Sequence, residues 1–185
     1  MEEKYNLIKK ELLKSKSNNP IEIVINIMNF DFINMHGPEH HFLDSGALLA
    51  AYKNSGMELD LDKALDALAK RTILMPGGMC GAWGVCGAAA CMGAALSVIN
   101  RVSSLNDTVE YKYNMELTSL IINKMSKIGG PRCCKRNAFI SLSTAVDYIN
   151  KKMNSNMEIK FIKCSFSDRN THCIKNRCPY YGGDK

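Results

Sequence analysis

Gly84-Val85-Cys86-Gly87-Ala88-Ala89-Ala90-Cys91-Met92-Gly93-Ala94-Ala95-Leu96-Ser97-Val98-Ile99 is the longest apolar stretch of this 185-residue chain. It is shorter than the roughly 20 apolar residues of a membrane-spanning helix. Its Ala and Gly residues let other backbones approach closely, so the segment reads as a buried helix in the middle of the protein. A Gly-rich loop from Met79 leads into it.

The segments around it also read as helices. Glu2 to Lys16 puts Leu7, Ile8, Leu12 and Leu13 on one side of a polar surface helix, which Ser17-Asn18-Asn19-Pro20 ends. Pro20 suits a first helical position, so Ile21 to Met28 is assigned to helix rather than strand. Gly37-Pro38 turns the chain into a helix running to about Lys53, and Asp60 or Asp62 caps the next, with Leu61, Leu65, Leu68 and Ile73 on its buried side. A helix from about Asn114 to Lys127 ends at Gly129-Gly130, and Pro131 opens another that reaches about Lys152. Beyond Asn154-Ser155-Asn156, Glu158 to Lys163 alternates enough for one short strand or extended segment. The expected architecture is therefore mainly α. A single-domain bundle surrounds the Ala/Gly-rich helix, with an N-terminal surface helix over 1–19, a helical core over 20–157 and a Cys-rich, metal-binding tail over 158–185 packed on that core.

At 46% hydrophobic and 23% charged residues the composition is that of an ordinary globular domain, which excludes a disordered or fibrous chain. The net charge of +6 is spread along the sequence, so nucleic acid is allowed but not indicated. Met1-Glu2-Glu3-Lys4 does not begin a signal pattern, and a cytoplasmic protein is expected, without a membrane partner. In a reducing compartment, eight cysteines point to metal or redox chemistry in place of a disulfide framework.

Four constellations carry that chemistry. Cys164, Cys173 and Cys178-Pro179 lie in a tail with almost no apolar residues between them, so it needs a metal or close packing to be ordered. Thiolates suit iron-sulfur clusters and zinc. No two cysteines of the chain are separated by two residues, which weakens a zinc ribbon. In Pro131-Arg132-Cys133-Cys134-Lys135-Arg136-Asn137, two thiols at a helix start beside three cations are expected to have depressed pKa values. They would serve as nucleophile, sulfur carrier or ligand, with one facing the site and its neighbour packing; the same cations could instead hold an anion. Around Met75-Pro76-Gly77-Gly78-Met79-Cys80-Gly81-Ala82-Trp83-Gly84-Val85-Cys86-Gly87, glycines lift steric limits near two thiols, while Cys91, about 140° round the helix from Cys86, reads as core. His36, Glu39, His40 and His41 offer an imidazole for a metal or for acid-base work, or simply a capping turn.

These four motifs together resemble an uncharacterised domain family of bacteria and archaea, found alone or joined to a SAM-dependent methyltransferase domain. The resemblance covers roughly residues 30 to 181 and implies that the motif residues form one site. It carries no established reaction. This chain lacks the Gly-rich SAM loop after a first strand, so it is not read as a methyltransferase.

The leading expectation is a cysteine-rich metalloprotein with an iron-sulfur cluster of the 4Fe-4S type. Its metal ligands are taken as Cys164, Cys173, Cys178 and Cys134, with Cys80, Cys86 and Cys133 as other sources of the fourth. Cys80, Cys86, Arg132 and Arg136 border the cofactor, and Cys133, Cys134, His40 and Glu39 are the candidates for sulfur-transfer or thiol-redox catalysis on a small anionic or sulfur-containing substrate. The alternatives are a zinc module docking on a methyltransferase or other modifying enzyme, and a domain binding an anionic small molecule or RNA phosphate.

Overall fold

The computed structural model describes residues 1–183, which form eight α-helices and no strand. The helices are α1 (Glu2–Lys14), α2 (Pro20–Met28), α3 (Glu39–Asn54), α4 (Leu61–Thr72), α5 (Met79–Ala82), α6 (Gly87–Ile99), α7 (Val109–Ser126) and α8 (Cys134–Met153). Asp184 and Lys185, the end of the expected tail, lie outside the described residues. No helix among them is long and apolar enough to cross a membrane.

The helix starts follow side-chain chemistry. Asn19 accepts a hydrogen bond from the Ile21 N–H with Pro20 in the first turn, and Asp60, not Asp62, caps α4 through the Lys63 N–H. Such caps contribute about 1 kcal/mol each. At the start of α8 the cap is a thiol: Cys133 Sγ accepts from the Arg136 N–H.

The Ala/Gly-rich helix α6 lies inside, packed on α3, α4, α7 and α8. Gly93 lets α7 come close, because a Cβ there would run into the Thr118 hydroxyl and stand 3.2 Å from the Asn114 carbonyl oxygen. A second helix shares the centre. Every residue of α3 from Glu39 to Tyr52 is buried, and α1, α2, α4, α6 and α8 all pack on it. Its sequence shows little amphipathic pattern because no side of it meets solvent. The N-terminal helix buries Tyr5, Ile8 and Leu12 in the same core, with the Tyr5 ring stacked 4.6 Å from Phe42.

The chain from Glu158 to Lys163 stays irregular, so the strand alternative does not form, and Cys164 makes only an isolated parallel bridge to Tyr181. Beyond it the tail consists of tight turns and a single 3-10 turn at Lys175–Arg177. It is anchored by Ile162 and Phe166, both buried in the main core. The Phe166 ring lies under the Lys135 ammonium, 5.3 Å from its centroid.

Candidate metal and thiol site

Seven of the eight cysteines fall around the first turn of α8, and that turn divides them. Cys133 and Cys134 are neighbours in sequence but face different cavities. Cys133 lines one with Cys164, Cys173 and Cys178, an enclosure of about 380 Å³ including its mouth. Cys134 lines another with Cys80 and Cys86, about 430 Å³ measured likewise. The thiol that joins the tail trio is therefore Cys133, in the place the sequence reading gave to Cys134. The reason is helical geometry: Cys133 caps α8 and still points outward toward the tail, while Cys134 has entered the helix and turns inward.

In the tail cavity three of the four sulfurs have a backbone N–H on them. The Arg136 N–H lies 3.5 Å from Cys133 Sγ, the Phe166 N–H 3.4 Å from Cys164 Sγ and the Lys175 N–H 3.4 Å from Cys173 Sγ. Asn170 supplies a further donor, its Nδ2 standing 3.6 Å from Cys133 Sγ. Its Oδ1 accepts from the His172 N–H and from His36 Nε2, at 3.1 and 3.3 Å. His36 Nδ1 in turn accepts from the Cys134 N–H, which fixes the Nε2–H tautomer. Burial holds His36 below the ordinary imidazole pKa and so keeps it neutral. Burial likewise raises the Cys164 and Cys178 thiols in the metal-free chain, against the N–H donors that lower them. Among the described residues, no three His, Cys, Asp or Glu side chains stand close enough to hold a single metal ion.

The second cavity is built by helix ends. Cys86 is the N-cap of α6 without a side-chain cap hydrogen bond, and Asn137 Nδ2 lies 3.2 Å from its sulfur. Burial nevertheless raises its pKa. Cys134 is pushed up to about 12 by burial, so the expected depression by helix dipole and cations does not hold there. The cations are elsewhere engaged. Lys135 is fully buried, donates to the Asn34 carbonyl oxygen at 2.8 Å and sits 3.0 Å from His40 Nε2; burial lowers it to about 8. Arg136 is buried, its Nη2 donating to the Gly129 and Pro131 carbonyls at 2.9 and 2.8 Å while Nε finds no partner. Only Arg132 of the three is exposed.

The histidine motif ties these parts together. His41 Nδ1 donates to the Met75 carbonyl, at the head of the Gly-rich loop, and its ring packs on Gly87, where any Cβ would collide with it. His40 Nδ1 faces Asp44 Oδ1 at 3.5 Å, a long ion-pair contact, and neither oxygen of the fully buried Asp44 has a hydrogen-bond partner. Burial pushes the Asp44 carboxyl above the usual range. Neither the sequence motifs nor the periodicity singled out Asp44 or Asn170. Glu39 lines neither cavity: its carboxylate accepts from the Asn34 N–H at 3.0 Å and pairs with Lys4 at 3.5 Å, so it braces the loop. Trp83 is 74% exposed, and Cys91 is buried in the core.

From the second cavity a broader cleft opens between the Gly-rich loop, α7 and the start of α8, about 1190 Å³ with its open mouth. Cys80 and Cys86 line both spaces, and Arg136 lines both this cleft and the tail cavity. The motifs implied to form one site thus meet as two adjoining chambers. The chain matches, over residues 8–181, the family of unknown function designated DUF5714. Neither the curated proteins nor the solved structures hold a match to it.

Proposed function

The chain belongs to this family of unknown function, and from the site alone we propose that it is an iron-sulfur protein whose cluster is held by Cys133, Cys164, Cys173 and Cys178. The observation that carries the reading is four thiols lining one cavity, three of them with a backbone N–H directed at the sulfur. Hydrogen bonds to ligand sulfurs stabilise the thiolate form and tune a cluster's potential. Zinc at about 2.3 Å from each sulfur needs the four thiolates drawn tightly around one point. A 4Fe-4S cluster takes each thiolate on a different iron, and so suits four sulfurs lining one cavity. When bound, the cluster would supply one-electron redox chemistry. Asn170 would orient Cys133, and Ile162 and Phe166 would hold the tail over the cavity. The thiols of the adjoining cleft, Cys80 and Cys86, are the groups for thiol-redox or sulfur-transfer chemistry.

The test is strictly anaerobic purification followed by an absorption spectrum with iron, zinc and acid-labile sulfide analysis. A brown protein with about four irons and four sulfides per chain is expected. Cys133→Ser, Cys164→Ser, Cys173→Ser and Cys178→Ser should each lose most of the iron, and Cys134→Ser should keep it. A colourless protein with one zinc per chain replaces this reading by the zinc module that docks on a methyltransferase or other modifying enzyme. Iron retained in Cys133→Ser and lost in Cys134→Ser moves the fourth ligand to the other chamber.

A further inference from the structure

The cleft beside the tail cavity has features that cluster binding leaves unused. Two half-buried thiols, Cys80 and Cys86, line it together. The cleft also carries Arg132 at its surface and the buried Arg136, whose Nε has no partner, and no acidic side chain lines it. In the small cavity at its base stands Asp44, fully buried with both oxygens unpartnered. Buried donors and acceptors left open in this way are normally met by water or by a ligand.

The two thiols are not equivalent. Cys86 is the N-cap of the thirteen-residue α6 and receives the Asn137 amide at 3.2 Å, so the helix start and this donor oppose the rise in pKa that burial imposes on it. Cys80 lies on the single turn α5, between Gly78 and Gly84, both at positive φ (85° and 68°) and both with open space around them. One thiol is fixed at a helix start beside an amide donor, and the other rides on a short turn bracketed by backbone that only glycine adopts freely.

We propose that Cys80 and Cys86 are a redox dithiol that reduces small anionic disulfides. This narrows the thiol chemistry given above to one reaction and does not depend on the cluster. The Cys86 thiolate attacks one sulfur of R–S–S–R. The Cys86–S–R bond forms, the disulfide bond breaks, and RS⁻ leaves with the electron pair. The Cys80 thiolate then attacks Cys86 Sγ, forming the Cys80–Cys86 disulfide and releasing the second RS⁻. The two protons lost by the cysteines balance those taken up by the two thiolates, so R–S–S–R and two thiols become two RSH and one internal disulfide. Asn137 and the start of α6 position the nucleophile, Arg132 and Arg136 attract the carboxylates of the substrate, and Asp44 is an open acceptor for a thiol proton.

Oxidised glutathione is the anionic probe and cystamine the cationic one, with products located by peptide mass. Wild type treated with oxidised glutathione should form the Cys80–Cys86 disulfide with release of two glutathiones. Cys80→Ser should stop at a stable glutathione adduct on Cys86, and Cys86→Ser should leave Cys80 unmodified on the same timescale. Arg132→Ala should lower the rate with oxidised glutathione relative to cystamine by roughly tenfold. Wild type that stops at an adduct overturns the proposal, as does Cys80→Ser modified elsewhere with Cys86 untouched; an unchanged rate ratio in Arg132→Ala removes the anionic substrate. Iron is measured on the same samples. Exchange at Cys86 in an iron-free preparation sinks only the cluster reading, and its absence in an iron-loaded one sinks only the dithiol.

Discussion

The tail cavity and the cleft share the first turn of α8 as a wall, and they present sulfur in opposite ways. In the tail, Cys164, Cys173 and Cys178 sit on irregular chain, positioned by turn N–H groups and by two apolar anchors. In the cleft and the small cavity behind it, Cys86 and Cys134 are set by the ends of long helices already fixed by the core. Helix-borne thiols are placed by folding itself. Turn-borne thiols need something to hold, since two buried side chains contribute only about 3 to 6 kcal/mol against the ordering of a segment this long. The difference predicts a one-sided response to metal removal, and it is the largest effect expected. With the proposed cluster bound, stripping its iron with a chelator should make 158–183 sensitive to protease while the helical circular dichroism of the core stays within a few per cent. Coincident loss of both would mean that the cleft is no more pre-formed than the tail.

Lys135 is the strut between the two chambers, and its removal should be the next largest effect. Its ammonium bonds the Asn34 carbonyl, faces His40 and sits over Phe166, all in a dry interior. Lys135→Ala leaves those acceptors unmet and opens a void, for an expected loss of about 2 to 4 kcal/mol in urea unfolding. Lys135→Met, which fills the space, should recover the packing part but not the hydrogen bonds. If both variants unfold like wild type, the chambers are independent.

The helical half of this comparison was legible in the sequence. Small residues from Gly87 to Val98 announced a buried helix because only close packing uses them, and Pro20 and Asp60 marked helix starts by stereochemistry, whereas the helix read from Pro131 begins only at Cys134. The central place of α3 was not legible, because a helix buried on all sides carries no period to read. Grouping the cysteines was legible only in part. Spacing set the tail trio apart, but the choice between Cys133 and Cys134 depends on where the cap ends and the helix begins, a boundary that sequence fixes only to within a residue or two. Burial was the other hidden variable: Lys135 reads as a solvated cation beside Arg132, and only the tertiary fold places it under Phe166 and turns the local charge argument around.

Asp44 sharpens the contrast through pH. Burial raises its carboxyl in the folded state, with His40, Lys135 and His41 opposing the rise. A raised folded pKa means that the native state holds the proton more tightly. The stability linked to Asp44 is full below the ordinary carboxylate pKa and is lost as pH rises toward the folded value. Asp44→Asn should therefore gain stability at neutral pH relative to wild type and flatten the slope of stability against pH above about 4. An unchanged slope would mean that Asp44 has a partner in solution, as a ligand bound in the cleft would provide.

The smallest expected effects come from two asparagines that play matching parts, one in each chamber. Asn170 Nδ2 reaches Cys133 Sγ at 3.6 Å, and Asn137 Nδ2 reaches Cys86 Sγ at 3.2 Å. A donor to a charged sulfur contributes about 1.5 to 3 kcal/mol at most, and these long contacts to sulfur fall at the low end. Asn137→Ala should slow disulfide exchange at Cys86 by about tenfold and leave the iron spectrum as it is. Asn170→Ala should shift the cluster's reduction potential downward, because a donor on ligand sulfur favours the more negative, reduced state, and should leave exchange at Cys86 unchanged. The two readouts are different chemistry on different sulfurs, so a crossed result, with Asn137→Ala moving the potential or Asn170→Ala slowing exchange, would show that the first turn of α8 couples the chambers instead of separating them.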